Sequence, residues 1–199
     1  MTGTVHIVDD EEAIRDALQF LFASRGLTAQ GWPSGEALLE ALPLADCACI
    51  ILDVRMSGLS GPEVFGKLRD IGMDAPVIFL TGHADVPVAV QTLKAGAFDF
   101  VEKPFNDNQI VDLVLRAIAS FEASRHQAGL RQDTDRRLSA LSARESEVMR
   151  LMLAGQLNKQ ISDKLGIAIR TVEAHRSRVL AKMGVRNIAE LAMIIARQS

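Results

Sequence analysis

The chain has 199 residues, 48% hydrophobic and 24% charged, a globular composition that argues against a disordered, collagenous or coiled-coil protein. Its net charge of −3 conceals an asymmetry: residues 1–120 carry 17 Asp/Glu against 8 Lys/Arg, and residues 121–199 carry 8 against 14. No apolar run reaches the roughly 18 residues of a membrane span, and Cys47 and Cys49, with no histidine cluster near them, support neither a disulfide scaffold nor a zinc site.

An acidic half joined to a basic half points to two domains with different partners. A small basic domain is a candidate for nucleic acid. Asp9, Asp10, Glu11 and Glu12 stand where a signal peptide needs an apolar stretch, so the cytoplasm is the expected compartment.

In chain order, short apolar runs at residues 5–8, 48–52 and 77–80, with weaker ones at 28–32 and 98–101, read as buried strands. Amphipathic stretches at 12–24, 35–42, 61–70, 86–95 and 108–121 read as helices, with Ser34 and Asp85 as N-caps for two of them. Strands alternating with helices predict a parallel sheet covered on both faces. Residues 122–137 are polar, with almost no apolar anchor. They read as a linker that can continue the preceding helix. Beyond residue 138 no strand-like run occurs. Ser142-Ala143-Arg144-Glu145 is a capping box that opens a helix ended by Gly155. A short helix at 158–165, a tight turn, a longer helix at 170–183 and a last helix at 187–197 follow. Short helix, turn and longer helix is the grammar of a helix-turn-helix.

Chemistry in a parallel sheet collects at the carboxyl ends of its strands. Asp9 and Asp10 follow the first strand, Asp53 ends the third, Thr81 closes the fourth and Lys103 the fifth. If the first and third strands are neighbours, three carboxylates converge, and like charges this close repel unless a cation joins them. Mg²⁺ suits such oxygen donors. A single Asp at a strand end commonly caps a helix, and Thr81-Gly82 or Lys103-Pro104 alone is only a turn. The set in order suits phosphoryl transfer to an aspartate: a carboxylate nucleophile, charges that neutralise phosphoryl oxygens, and a hydroxyl donor.

Residues 1–121 resemble a response-regulator receiver domain of the CheY-like class through Val8-Asp9-Asp10, Leu52-Asp53-Val54-Arg55-Met56, Leu80-Thr81-Gly82-His83 and Glu102-Lys103-Pro104-Phe105. The resemblance implies an α/β flavodoxin-like fold of five βα units with strand order 2-1-3-4-5. It makes Asp53 the phospho-acceptor and Thr81 and Lys103 its hydroxyl and lysine partners. Mg²⁺ would be held by Asp10, Asp53 and the Arg55 main-chain carbonyl, with Asp9 nearby or acting through water. Phe100 falls where the family has a switching aromatic, and the Lys103–Pro104 peptide is expected to be cis. Val90, Lys94 and Phe100 match the face through which FixJ-type receivers pair when phosphorylated. Arg55 and His83 fall where the family tunes water access to the aspartyl phosphate. One departure is Met56-Ser57-Gly58, where the family usually reads Met-Pro-Gly. Without the fixed φ of proline a looser loop is expected.

Residues 138–199 resemble a LuxR-type helix-turn-helix, an all-α domain of four helices, through Leu141-Ser142-Ala143-Arg144-Glu145, Asn158-Lys159-Gln160-Ile161 and Arg170-Thr171-Val172-Glu173-Ala174-His175. Together the two halves are similar to the FixJ/NarL family of transcription regulators, closest to the FixJ branch through Thr81-Gly82-His83-Ala84-Asp85-Val86-Pro87. On the longer helix Glu173, Ala174, Arg176 and Ser177 lie opposite the Val172/Val179 stripe and can face a major groove. Lys159, Arg170, Thr171, Arg178 and Lys182 suit phosphates. His175 reads either as another phosphate contact or as a partly packed core histidine. Ala168 stands where the family often has a capping Ser or Thr, whose loss costs about 0.5–2 kcal/mol.

The reading is a regulator rather than an enzyme. A sensor histidine kinase supplies the phosphoryl group, phosphorylation promotes a homodimer, and the dimer binds promoter DNA and engages RNA polymerase. A phosphatase of the acidic-triad type would need a mobile cap that the chain has no segment for. A phosphorylated adaptor would leave the basic half unexplained. An ATP-driven activator would need a phosphate-binding glycine loop that is absent.

Overall fold

The computed structural model describes residues 3–82 and 86–196. His83 and Asp85, read above as a lifetime-tuning residue and a helix cap, lie outside the described residues. The chain divides into two compact units, residues 1–123 and 124–199.

The first unit carries β1 (Thr4–Val8), α1 (Glu12–Ser24), β2 (Thr28–Trp32), α2 (Gly35–Glu40), β3 (Cys47–Asp53), α3 (Gly61–Asp70), β4 (Val77–Thr81), α4 (Val86–Lys94) and β5 (Asp99–Glu102). The five strands form one parallel sheet in the order β2-β1-β3-β4-β5. Alternate strand residues supply two cores, because successive side chains leave opposite faces. Val5, Ile7, Ile51, Ile78 and Leu80 pack with Leu18 and Phe22 of α1 and with Ile110 and Val114. The last two belong to α5 (Asp107–Ser139). Val8, Ile50, Leu52, Val77 and Phe79 pack with Leu38 of α2 and Val64, Phe65 and Leu68 of α3. Ser34 caps α2 by accepting the Ala37 N–H at 3.2 Å. The Lys103–Pro104 peptide is cis, as is Leu42–Pro43.

Cys47 and Cys49, two apart, would share a face of a regular strand. The register between β1 and β3 shifts, with Thr4 opposite Cys47 and Val5 opposite Cys49. The extra residue of a bulge reverses the alternation, so Cys49 joins the first core and Cys47 the second. Residues 122–137 do continue the preceding helix, as the latter half of α5.

His6 is 3% exposed and stacks against Trp32, whose Nε1–H donates to His6 Nδ1 at 3.0 Å. Burial holds the imidazole below its ordinary pKa. A depressed His pKa means stability that is present above about pH 6.5 and lost as pH falls below it. Protonated Nδ1 could no longer accept from Trp32. Urea denaturation at pH 8 and pH 5.5 is therefore expected to show a larger acid loss for wild type than for His6→Phe. Equal losses would count against it.

The second unit holds the remainder of α5, then α6 (Ala143–Leu153), α7 (Asn158–Leu165), α8 (Ile169–Met183) and α9 (Ile188–Ala196). Its core is Val148, Met152, Ile161, Val172, Val179, Met183 and Leu191. The Ser142/Glu145 box opens α6: Ser142 Oγ accepts from Glu145 N–H at 3.2 Å and Glu145 Oε2 accepts from Ser142 N–H at 2.8 Å. Ala168 occupies the N-cap of α8 with no side-chain cap bond. Among the described residues no helix is long and apolar enough to cross a membrane.

Candidate functional site

The adjacency of β1 and β3 brings the predicted acids together. Carboxylate oxygens of Asp9, Asp10 and Asp53 lie within 4.8 Å of one another. Asp9 is fully buried, Asp53 is 6% exposed, and Asp10 is exposed. The start of α3 passes directly under this strand end. Gly61 N–H donates to the Val54 carbonyl at 3.0 Å, and a Cβ on Gly61 would collide with the Asp53 carbonyl.

Sequence reasoning assigned the joining charge to a divalent ion. Two of the three carboxylates already have one: Lys103 Nζ stands 2.8 Å from Asp9 Oδ2 and 2.9 Å from Asp53 Oδ1. Burial, and the neighbouring Asp9 charge after it, push the Asp53 carboxyl above its ordinary pKa against the opposing effect of Lys103. Burial alone would lower the Lys103 ammonium, but its bonds to both carboxylates outweigh that and hold it above its ordinary value.

Main-chain amides complete the ring. Glu11 N–H donates to Asp9 Oδ1 at 2.9 Å, Arg55 N–H to Asp53 Oδ2 at 3.1 Å, and Ser57 N–H to Asp10 Oδ2 at 2.9 Å. The Arg55 main chain reaches the site through its N–H as well as standing where the carbonyl was read. The loop at Ser57 has a tie that proline could not supply, since the amide proline lacks donates here to Asp10. Leu59 N–H is tied in turn to Glu36 Oε1 at 2.8 Å. Sequence reasoning missed Glu36. It also missed Arg15, whose Nη1 donates to the Asp9 carbonyl at 2.7 Å. Neither has a motif, since each acts on a main-chain atom rather than on another functional side chain. Three converging carboxylates with an exposed approach at Asp10 form a hard-oxygen donor set of the kind Mg²⁺ takes, one or two carboxylates plus water.

Thr81 is fully buried at the end of β4, and its hydroxyl donates to the Gly82 carbonyl at 3.1 Å. Phe100 of β5 is half-buried and packs on the second core with Val88 and Leu93 of α4. Val90 is 42% exposed and Lys94 is exposed. The apolar residues of α4 therefore divide between packing on the sheet and facing outward.

In the second unit α8 buries Val172, Val179 and Met183 and leaves Arg170, Thr171, Glu173, Ala174, Ser177 and Arg178 exposed, as is Lys159 of α7. Arg176 is half-buried. His175 Nδ1 is buried with no hydrogen-bond partner among the described residues, so its ring is partly packed. Lys182, read as a phosphate contact, also has partners within this unit. Its Nζ donates to Glu145 Oε2 at 2.7 Å and to the Ala140 carbonyl at 3.0 Å. Glu145 is 4% exposed, and its bond to Lys182, with those from Ser142, holds its carboxyl down at about 2. Arg137, read as part of the linker, donates from Nη1 to the Met183 carbonyl at 2.7 Å, where Gly184 ends α8 at φ 67°. Ile169 was also missed. It is 46% exposed at the first position of α8 and lines one concave surface with Lys159, Glu173 and Arg176.

Residues 5–115 match the response regulator receiver domain, and residues 139–195 match the bacterial regulatory proteins of the luxR family. The chain is a response regulator with a LuxR-type DNA-binding domain. The regulator is 64% identical over 194 residues to the C4-dicarboxylate transport transcriptional regulatory protein DctR of Rhodobacter capsulatus, covering 96% of this chain and 98% of that one. Among solved structures it is similar to the response regulator StyR, with 32% identity, TM-score 0.89, and 99% and 100% of the two chains covered. It is also similar to full-length FixJ from B. japonicum, with 37% identity, TM-score 0.65, and 98% and 97% covered. The five-stranded order 2-1-3-4-5 followed by a helical domain is the fold shared with FixJ. The regulator therefore belongs to a family of transcription regulators and not of enzymes, which sets aside the phosphatase alternative.

Proposed function

We propose that residues 1–121 form the receiver, that 122–137 link it to the DNA-binding domain at 138–199, and that Asp53 accepts a phosphoryl group from a sensor histidine kinase. The observation that carries this is the Asp53 carboxylate at the end of β3, partly shielded from water and 2.9 Å from the Lys103 ammonium. A carboxylate so placed attacks phosphorus as nucleophile. Lys103 neutralises a phosphoryl oxygen, and Thr81 turns its hydroxyl from the Gly82 carbonyl to another. Asp10 and Asp53, with the Arg55 main chain and Asp9 at one remove, would hold Mg²⁺. When bound, the ion supplies positive charge against the phosphoryl oxygens.

Rotation of Phe100 then changes the α4–β5 face, and Val90, Lys94 and Phe100 pair two molecules. The dimer binds promoter DNA from the cytoplasm and engages RNA polymerase. On α8, Glu173, Ala174, Arg176 and Ser177 face bases, while Arg170, Thr171 and Arg178, with Lys159 of α7, face phosphates, His175 packing beside them. The identity to DctR supports genes of C4-dicarboxylate transport as the target.

Incubation with a small acyl-phosphate donor tests the reading. Wild type is expected to be labelled only with Mg²⁺ present and to sediment as a dimer when labelled. Asp53→Ala should lose labelling entirely, and Asp10→Ala should need more Mg²⁺. Labelling of Asp53→Ala at the wild-type level would overturn the assignment.

A further inference from the structure

Resting on the metal reading above and deepening it, we propose that the Ser57 main-chain amide latches the β3–α3 loop to Asp10 and that metal binding opens this latch. Lys103 serves Asp9 and Asp53, whereas the Asp10 Oδ2 atom takes the Ser57 N–H at 2.9 Å. Two residues on, Leu59 N–H is held by Glu36 at 2.8 Å. Residues 57–59 are thus a strap strung between two carboxylates that belong to different parts of the fold, the β1–α1 turn and the first turn of α2. The strap needs a main-chain amide at position 57, which any residue but proline supplies.

The positive end of the N–H dipole and a divalent cation draw on the same Asp10 carboxylate. A carboxylate oxygen that gives electron density to a metal is a poorer hydrogen-bond acceptor, and a cation beside it repels the amide proton. Metal entry therefore breaks the Ser57 bond while Glu36 keeps its hold on Leu59. Two consequences follow. Metal binds more weakly than it would beside proline. Occupancy of the acidic site is also transmitted to the loop that precedes α3, before any phosphoryl group arrives.

Calorimetric titration of the full-length protein with MgCl₂ tests this. Ser57→Pro is expected to bind Mg²⁺ about 3- to 10-fold more tightly than wild type, a modest factor because the site is partly exposed. Ser57→Ala keeps the amide and is expected to match wild type, which separates the backbone from the hydroxyl. Amide hydrogen exchange read by NMR on wild type is a second measure that does not depend on the proline variant folding. Mg²⁺ should speed exchange at Ser57 and leave Leu59 unchanged. Equal affinities in all three proteins, or a Ser57 amide still protected at saturating Mg²⁺, would overturn the latch alone. Absence of Mg²⁺ binding to wild type would overturn the metal reading and the latch with it.

Discussion

Lys103→Met is expected to destabilise the receiver domain by about 2–4 kcal/mol near neutral pH, and Mg²⁺ is expected to restore most of that loss. The ammonium lies 2.8 Å from Asp9, which is fully buried, and 2.9 Å from Asp53, whose side chain is 9% exposed. Removing it leaves two facing carboxylates with little water to screen them. Breaking a buried pair from one side costs about 3–5 kcal/mol. The Lys103 side chain is 20% exposed, so water relieves part of that cost and the lower range applies. Methionine keeps the length and the apolar stem, which separates the charge from the packing. The signs are distinctive. A divalent cation replaces the lost charge, so the variant should gain more stability from Mg²⁺ than wild type does. Acid should also narrow the gap, because a carboxyl already raised by burial and by its neighbour protonates readily once Lys103 is gone. Urea denaturation at pH 8 and pH 5, with and without MgCl₂, reads both. A variant within 0.5 kcal/mol of wild type, or one indifferent to Mg²⁺, would show that Lys103 does not carry the neutralising role.

The sheet and its site were legible for one reason: each strand is a short apolar run, and each functional residue stands at the end of one. That order survives without knowledge of any contact. What stayed hidden depends on partners distant in sequence. A one-residue bulge between Thr4 and Val5 in the β1–β3 register leaves no mark in composition, so Cys47 and Cys49 looked like residues on one face. The helix through 122–137 was legible only as a continuation of the one before it, because its side chains show no apolar period. Pairs such as Asp133–Arg137 at 2.8 Å support it instead. Ser57 looked like the loss of a rigid proline, whereas its backbone donor, invisible in side-chain chemistry, is what the loop uses. Lys182 and Arg178 looked alike on a helical wheel. They differ because a capping glutamate 37 residues away, Glu145, occupies the first.

That difference gives the last expected result, a division of labour along α8. Arg178 is exposed, and Arg178→Ala should weaken binding to all DNA sequences alike and lower the salt slope by about 1, the signature of one lost phosphate contact. Lys182→Ala should leave the salt slope unchanged, because its ammonium is bonded to Glu145 and the Ala140 carbonyl. Its effect should appear instead as a lower melting temperature of the helical domain. Glu145 is 4% exposed and would lose the partner that does most to hold its carboxyl at about 2. Arg176→Ala should cost about 1–3 kcal/mol on the preferred site and relax selectivity, since a guanidinium can donate twice to guanine O6 and N7. Glu173 is exposed one turn before Arg176. A carboxylate there is repelled by phosphates and accepts from cytosine N4, so Glu173→Gln should change the preferred base more than the affinity. Binding-site selection at two salt concentrations measures all four variants together. Identical consensus sequences for wild type and Glu173→Gln would confine Glu173 to pairing within its helix, and a reduced salt slope for Lys182→Ala would return Lys182 to the DNA backbone.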